Sequence, residues 1–355
     1  MTHSTLPSVS LRDIQKQVAT LQVAERFFDS VVLFALFESG VFKALASGPK
    51  QLPELHRSIG GDAESLRATL DAAVALKILS RSPAGYQAEE SLLECLGRED
   101  SRAYLGEWVT FLHVLAAPLL RLGTAIRTGE KPGALFEDMS GGDPEPARRM
   151  TAAMDAYART RGAEIAERLD LSGARTLLDL GCGPGTYALS ILERNPGMHA
   201  TLLDLAGPIA EARRFVAARG MSERVEFVVQ DAMTYAPGRT FDVVLVSNTL
   251  HMIGPTGSAE LLKRCYELVS PGGRLIVQAQ YLDDSRTAPR WPTLLNLIQR
   301  VATPDGRNHA IGETSEWFAA AGFVDVKRVR FSAWNVNSCL IGYRPIDGAQ
   351  AKDDA

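Results

Sequence analysis

The chain is poor in cysteine, in net charge and in long apolar runs, and each shortage removes a class of protein. Cys95, Cys182, Cys265 and Cys339 are the 4 cysteines of 355 residues. They lie far apart with no CxxC pair, which argues against a metal site or a disulfide framework and suits a reducing compartment. Basic and acidic residues nearly balance, 38 against 42, for a formal charge of -4. Without a cationic field for a polyphosphate, nucleic acid is a poor partner and a small molecule a better one. No apolar run reaches membrane-spanning length, and Met1–Ser8 lacks the basic segment and apolar core of a secretory leader. The expectation is therefore a soluble cytoplasmic protein that does not engage a membrane, with room for two domains.

Helical periodicity dominates the first half. The run Val23-Ala-Glu-Arg-Phe-Phe-Asp-Ser-Val-Val-Leu-Phe-Ala-Leu-Phe-Glu38 reads as one helix, apolar nearly all round. Such a helix must be buried, in its own domain or against a second subunit. A short helix ending at Gly60-Gly61, a longer one over Asp62–Lys77 and two extended pieces around Pro83-Ala-Gly85 then make a winged-helix outline. Its second helix carries Asp62, Glu64 and Asp71 against Arg67 and Lys77, no cationic face for DNA. A regulator that senses a metabolite is therefore the weaker reading, and a protein-contact and lid domain over 1–165 the stronger.

Short β-branched strands alternating with helices follow, the pattern of a doubly wound parallel α/β sheet over 166–346, with a polar tail at 347–355. Strands are expected at Thr176–Leu180, Ala200–Leu203, Val225–Val229, Val243–Ser247 and Arg274–Gln280. Val324–Phe331 and Ser338–Tyr343, with no helix between them, read as a closing antiparallel hairpin. In such sheets ligands bind at the carboxyl ends of the strands. Thr176-Leu-Leu-Asp-Leu-Gly-Cys-Gly-Pro-Gly-Thr186 puts Asp179, Gly181, Gly183 and Gly185 at the first of those ends, before a helix whose N–H groups face a ligand. Asp204 closes the second strand and Asp231 the third. A carboxylate after the second can accept two ribose hydroxyls, and one after the third an adenine amino group. Leu205 and Ala232 are placed to sandwich the adenine.

The spacing G-x-G-x-G, with an acid two residues earlier, resembles motif I of the class I S-adenosylmethionine (SAM) dependent methyltransferases rather than a dinucleotide site. Ser270-Pro-Gly-Gly-Arg-Leu-Ile-Val277, Ala319-Ala-Ala-Gly-Phe-Val-Asp-Val326 and Arg149-Met-Thr-Ala-Ala-Met-Asp-Ala-Tyr157 extend the likeness. Together they are similar to the two-domain small-molecule O-methyltransferases of plant phenolic and bacterial secondary metabolism. The resemblance implies a Rossmann-like seven-stranded sheet, SAM as cofactor with S-adenosylhomocysteine (SAH) as product, and a homodimer through the N-terminal winged-helix-like domain. It places Asp179, Gly181, Gly183, Gly185, Asp204, Leu205, Asp231, Ala232 and Ser247 at the cofactor. Met154, Tyr157, Trp108, His113, Trp291, Asn308 and His309 fall beside the acceptor, and His251 at the general base, which takes the proton of the acceptor hydroxyl.

Three positions depart from that family. His251-Met252-Ile253 stands where members write His-Asp-Trp, and Ala279 and Asn308 stand where they place glutamates that orient the base. Asp283, Asp284 and Glu313 are nearby substitutes in sequence. The expected function is methyl transfer to a hydroxyl of a largely apolar, aromatic or polyketide-like metabolite. Loss of both glutamates keeps C-methylation or non-methylating chemistry on the same scaffold as the alternative.

Overall fold

The computed structural model describes residues 11–131 and 145–346. The tail at 347–355 and the segment Met1–Ser8 lie outside the described residues. Two compact units divide at Val109/Thr110 rather than at 165.

The first unit holds α1 (Leu11–Glu25), α2 (Phe27–Glu38), α3 (Val41–Leu45), α4 (Leu52–Ile59), α5 (Ala63–Ala75), the hairpin β1 (Ser80–Ser82) and β2 (Gly85–Gln87), and α6 (Glu90–Leu96). Asp62 caps α5 by accepting from the Ser65 N–H at 2.7 Å, as expected of an acid before an apolar-periodic run. Leu36, Phe42, Leu55, Leu70 and Tyr86 share one core, so helix, turn, helix and wing do form a single packed body. The single helix expected over Val23–Glu38 is instead the end of α1 and all of α2, with a turn at Arg26 between them. Within this chain only part of it is covered. Leu36 is buried, but Val23, Phe27 and Phe28 remain 63%, 50% and 60% exposed.

α7 (Gly106–Leu120) leads into the second unit, followed by α8 (Leu122–Thr128) and α9 (Glu145–Arg168). No single helix among the described residues is long and apolar enough to cross a membrane; α7 and α8 pass on length and composition only as a pair bent by 44°. Leu115 of α7 is buried with Leu295, Ile298 and Ala302 of the same unit.

Then β3 (Thr176–Leu180), α10 (Thr186–Arg194), β4 (His199–Asp204), α11 (Ala206–Ala218), β5 (Val225–Val229), β6 (Phe241–Ser247), α12 (Pro255–Leu268) and β7 (Val269–Ala279) alternate. α13 (Arg290–Ala302) and α14 (Ile311–Ala321) precede β8 (Val324–Arg330) and β9 (Ser338–Tyr343). The 7 strands order as β5-β4-β3-β6-β7-β9-β8, with β9 antiparallel to both β7 and β8.

Side-chain alternation explains the layers. Leu177, Val243 and Leu245 enter one core with Ile165, Leu189 and Leu202. Leu178, Val244 and Val246 enter the other with Leu261, Leu275 and Phe318. Central strands buried on both faces read as continuous apolar runs, which is why β3 and β6 were legible. α9 belongs with the sheet because it packs along α10 and α11, with Gly162 at the close approach: a Cβ there would sit 2.9 Å from Ser190 Oγ. That packing moves the division of the chain toward its N-terminus.

Candidate active site

Strand order reverses between β3 and β6, so their carboxyl ends open a crevice at the switch point. The glycine loop occupies the β3 side. Gly181 has φ +73°, and a Cβ there would lie 2.7 Å from Thr249 Oγ1, so both the backbone and the close approach demand glycine. Gly183, at φ +53°, faces open space, and its N–H donates to Asp204 Oδ2 at 2.8 Å. Asp204 Oδ1 accepts from the Leu205 N–H at 2.7 Å. Both Asp204 oxygens are thus aimed by the backbone, and a carboxylate so held keeps two further acceptor positions for ligand hydroxyls.

Asp179 is buried at the end of β3, and its Oδ1 has no hydrogen-bond partner. Burial, with Asp204 close by, pushes its carboxyl up to about 8. A buried orphan acceptor beside an open glycine cradle fits a ligand that brings a donor or positive charge, such as the ammonium of SAM.

The residues that follow β4 and β5 are more open. Leu205 is exposed at the start of α11. Asp231 is exposed and closes a local turn by accepting from the Met233 N–H at 2.8 Å, while Ala232 is half-buried against the sheet core.

Thr249 ties the two sides of the crevice together. Its hydroxyl lies 3.2 Å from the Leu180 carbonyl, joining the β6 exit to the glycine loop. His251 follows in a 3₁₀ turn over Leu250–Met252. The residue is half-buried. Burial, with His309 nearby, lowers its pKa to about 4, so the imidazole is neutral at pH 7.

His309 is not a solvated loop residue. It is buried, and its Nε2 lies 3.0 Å from the Leu250 carbonyl and 3.1 Å from Ser258 Oγ. A carbonyl only accepts, so Nε2 carries the proton and the ring braces the turn that bears His251. Burial holds its pKa low as well.

The three carboxylates near in sequence are engaged elsewhere. Asp283 accepts within its own loop from Ser285, Asp284 from the Gly312 N–H, and Glu313 from the Ala310 N–H and from Arg286 and Arg307. Among the described residues no carboxylate lies within ion-pair distance of His251.

Of the residues expected beside the acceptor, Tyr157 is buried with the Arg161 guanidinium 3.7 Å from its ring centre. Burial raises its phenol pKa despite the neighbouring Arg161, Asn337 and Trp291. Trp291 and Met154 are half-buried. Asn308 is buried and donates to the Gln280 and Pro292 carbonyls, which leaves its Oδ1 unpartnered. His113 is half-buried on α7 in the same unit, whereas Trp108 belongs to the first unit. Ser247 donates to Gln278 Oε1. Sequence reasoning missed Thr249, Asn248 and Gln278, whose only signal was polarity at strand ends.

A seven-stranded sheet in this order, with the glycine loop at its switch point and acids closing β3 and β4, defines a class I methyltransferase with SAM as methyl donor. The chain belongs to the family of the O-methyltransferase domain, whose model matches residues 123–324. The tetracenomycin polyketide synthesis 8-O-methyl transferase TcmO of Streptomyces glaucescens is 30% identical over 92% of this chain and 96% of its own. A 3-hydroxy-5-methyl-1-naphthoate 3-O-methyltransferase of Streptomyces sahachiroi is 27% identical over 91% and 94%. Human N-acetylserotonin methyltransferase, solved in complex with SAM, shares the fold with a TM-score of 0.82 over 97% of this chain and 100% of its own, at 22% identity.

Proposed function

We propose that this O-methyltransferase acts on a small, largely apolar aromatic or polyketide-like metabolite in the cytoplasm, with His251 as the base. The observation that carries the reading is the neutral imidazole on the turn after β6, two residues beyond the Thr249 that ties this exit to the glycine loop. The names of the TcmO and naphthoate relatives, both of which modify aromatic or polyketide hydroxyls, support the acceptor class.

Asp179, Gly181, Gly183 and Gly185 would hold the amino-acid end of SAM, Asp204 its ribose, and Leu205, Asp231 and Ala232 its adenine, with Ser247 at the rim. Bound SAM supplies a methyl on a sulfonium, a leaving group that needs no activation. The protein's part is to orient the acceptor hydroxyl and remove its proton. An imidazole held at a low pKa is a weak base. A hydroxyl conjugated to a carbonyl, and so more acidic than a simple phenol, matches it best. Met154, Tyr157, His113, Trp291, Asn308 and His309 would border the acceptor.

Calorimetry with SAH and turnover on an extract of the producing cells test this. His251→Ala should lose turnover by about 10²–10⁴-fold while SAH affinity stays within about twofold. An unchanged rate removes the base assignment. The lack of a carboxylate beside His251 favours a second reading, in which the same scaffold methylates carbon or performs no methyl transfer. SAH binding without any product one methyl heavier would select it.

A further inference from the structure

A chain of buried side-chain amides runs from α9 to the crevice, and its direction is fixed at one end. Glu164 of α9 accepts from Ser332 and, at 3.0 Å, from Asn335 Nδ2. Burial works against its charge, yet these bonds hold the Glu164 carboxyl below its usual range, so it is an ionised group that can only accept. Asn335 must therefore present its NH₂ to Glu164, which leaves Asn335 Oδ1 to accept from Asn337 Nδ2 at 2.8 Å. Asn337 Oδ1 in turn accepts from Gln278 Nε2, and Gln278 Oε1 accepts from Asn248 Nδ2 at 3.0 Å. The second N–H of Asn248 reaches the Tyr187 hydroxyl at 3.2 Å. Every amide orientation follows from the carboxylate, and the last group left over is Asn248 Oδ1, buried with no partner.

Asn248 is anomalous in a second way. It sits at the exit of β6, on the stretch leading to His251, with φ +51°, a left-handed conformation that costs energy in a residue with a side chain. A strained residue presenting an unsatisfied acceptor at the crevice is built to meet a donor. The neighbourhood says which kind. Asn248 bonds Tyr187, which interacts electrostatically with Tyr157 and with the cationic Arg161. That cation disfavours an ammonium and leaves a neutral donor.

We propose that Asn248 is a specificity-determining residue whose Oδ1 accepts a hydrogen bond from a hydroxyl of the methyl acceptor, and that Glu164 is the positioning residue that fixes this polarity through the amides. The proposal rests on the reading that a hydroxylated acceptor binds in this crevice.

Two measurements test it. On the SAH complex, calorimetry compares 2,7-dihydroxynaphthalene with 2,7-dimethoxynaphthalene. The wild type should prefer the dihydroxy probe by roughly tenfold, and Asn248→Gly, which suits the left-handed backbone, should reduce that preference to about twofold with SAH affinity kept. A preference that survives in Asn248→Gly overturns the proposal, as does a wild type that binds the two probes equally or binds neither. Loss of SAH binding by the wild type would instead overturn the methyltransferase reading itself.

The second measurement reads the relay without a ligand. Asn248→Asp cannot donate to Gln278 and should lower the melting temperature. Glu164→Gln lets every amide reverse, so the double variant should melt higher than the sum of the single losses predicts. Additive losses overturn the relay, because a merely structural role for either residue gives no such rescue.

Discussion

Asp179 is buried and His251 half-buried at the crevice, and desolvation shifts them in opposite directions with opposite consequences for stability. Asp179 is raised to about 8 in the folded protein, by burial and then by Asp204. A folded pKa above the unfolded value of about 3.9 means that its contribution is complete below that value and is lost as pH rises to about 8. Asp179→Asn removes this alkaline loss. Scanning calorimetry of the ligand-free variant should show a higher melting temperature than the wild type at pH 9, relative to their difference at pH 4, and SAH affinity should fall at least about tenfold. If the gap between the two proteins does not change with pH, Asp179 is not the buried acid described above. His251, lowered to about 4, has the reverse sign. Its contribution is present above the unfolded value of about 6.5 and is lost as pH falls to about 4. His251→Ala should therefore flatten the acid limb of the melting temperature between those limits; an unchanged limb would mean that the ring is solvated.

At the scale of elements, the decisive contact is between α9 and α10, the helix that follows the glycine loop. Asp155 of α9 accepts from Thr186 Oγ1, the first residue of α10, at 2.6 Å, and pairs with Arg159 at 3.1 Å and Arg219 at 3.6 Å. Since Asp155 is buried, Asp155→Ala leaves the Thr186 hydroxyl without its acceptor and takes one carboxylate from Arg159 and from Arg219, the latter keeping Glu193 at 3.6 Å, an expected loss of about 1–3 kcal/mol. Urea unfolding should register that loss, and SAH affinity should drop with it because the loop end at Thr186 is released; a loss under about 1 kcal/mol would mean the pairs behave as surface pairs. None of this was readable beforehand. Asp155 lies in a helix whose sequence reports periodicity, not partners, whereas the strands announced themselves as apolar runs or strand-end acids. Thr176–Leu180, Val225–Val229 and Ser338–Tyr343 stand where the pattern put them. β7 begins earlier than expected, at Val269, because Phe241 pairs with Val269 across a bulge and keeps Pro271-Gly272-Gly273 in the strand. Asn248 and His309 were obscure for the same reason as Asp155: their roles depend on Gln278, Tyr187, Leu250 and Ser258, which are distant in sequence.

For the whole molecule, the open matter is what covers α1 and α2. Besides Val23, Phe27 and Phe28, the side chains of Val18 and Leu21 are exposed on α1, and Phe27 and Phe28 stand edge to face with ring centres 6.0 Å apart. Phe27 and Phe28 are 50% and 60% exposed, so covering them on each of two chains is worth about half of the 1.5–3 kcal/mol of a fully buried ring, a contribution toward the cost of associating a second copy. We infer a homodimer through the first unit, in keeping with a helix too apolar to be left in water. Sedimentation velocity at micromolar concentration should give a dimer for the wild type and a monomer for the Phe27→Glu/Phe28→Glu variant, since association would bury the new carboxylates without partners. SAH affinity should be unchanged in that variant, because every cofactor-side residue named above belongs to the second unit. A wild type that sediments as a monomer removes the dimer. A variant that remains dimeric moves the interface off α1 and α2, and one that loses SAH binding would show that the two units do not fold independently of this surface.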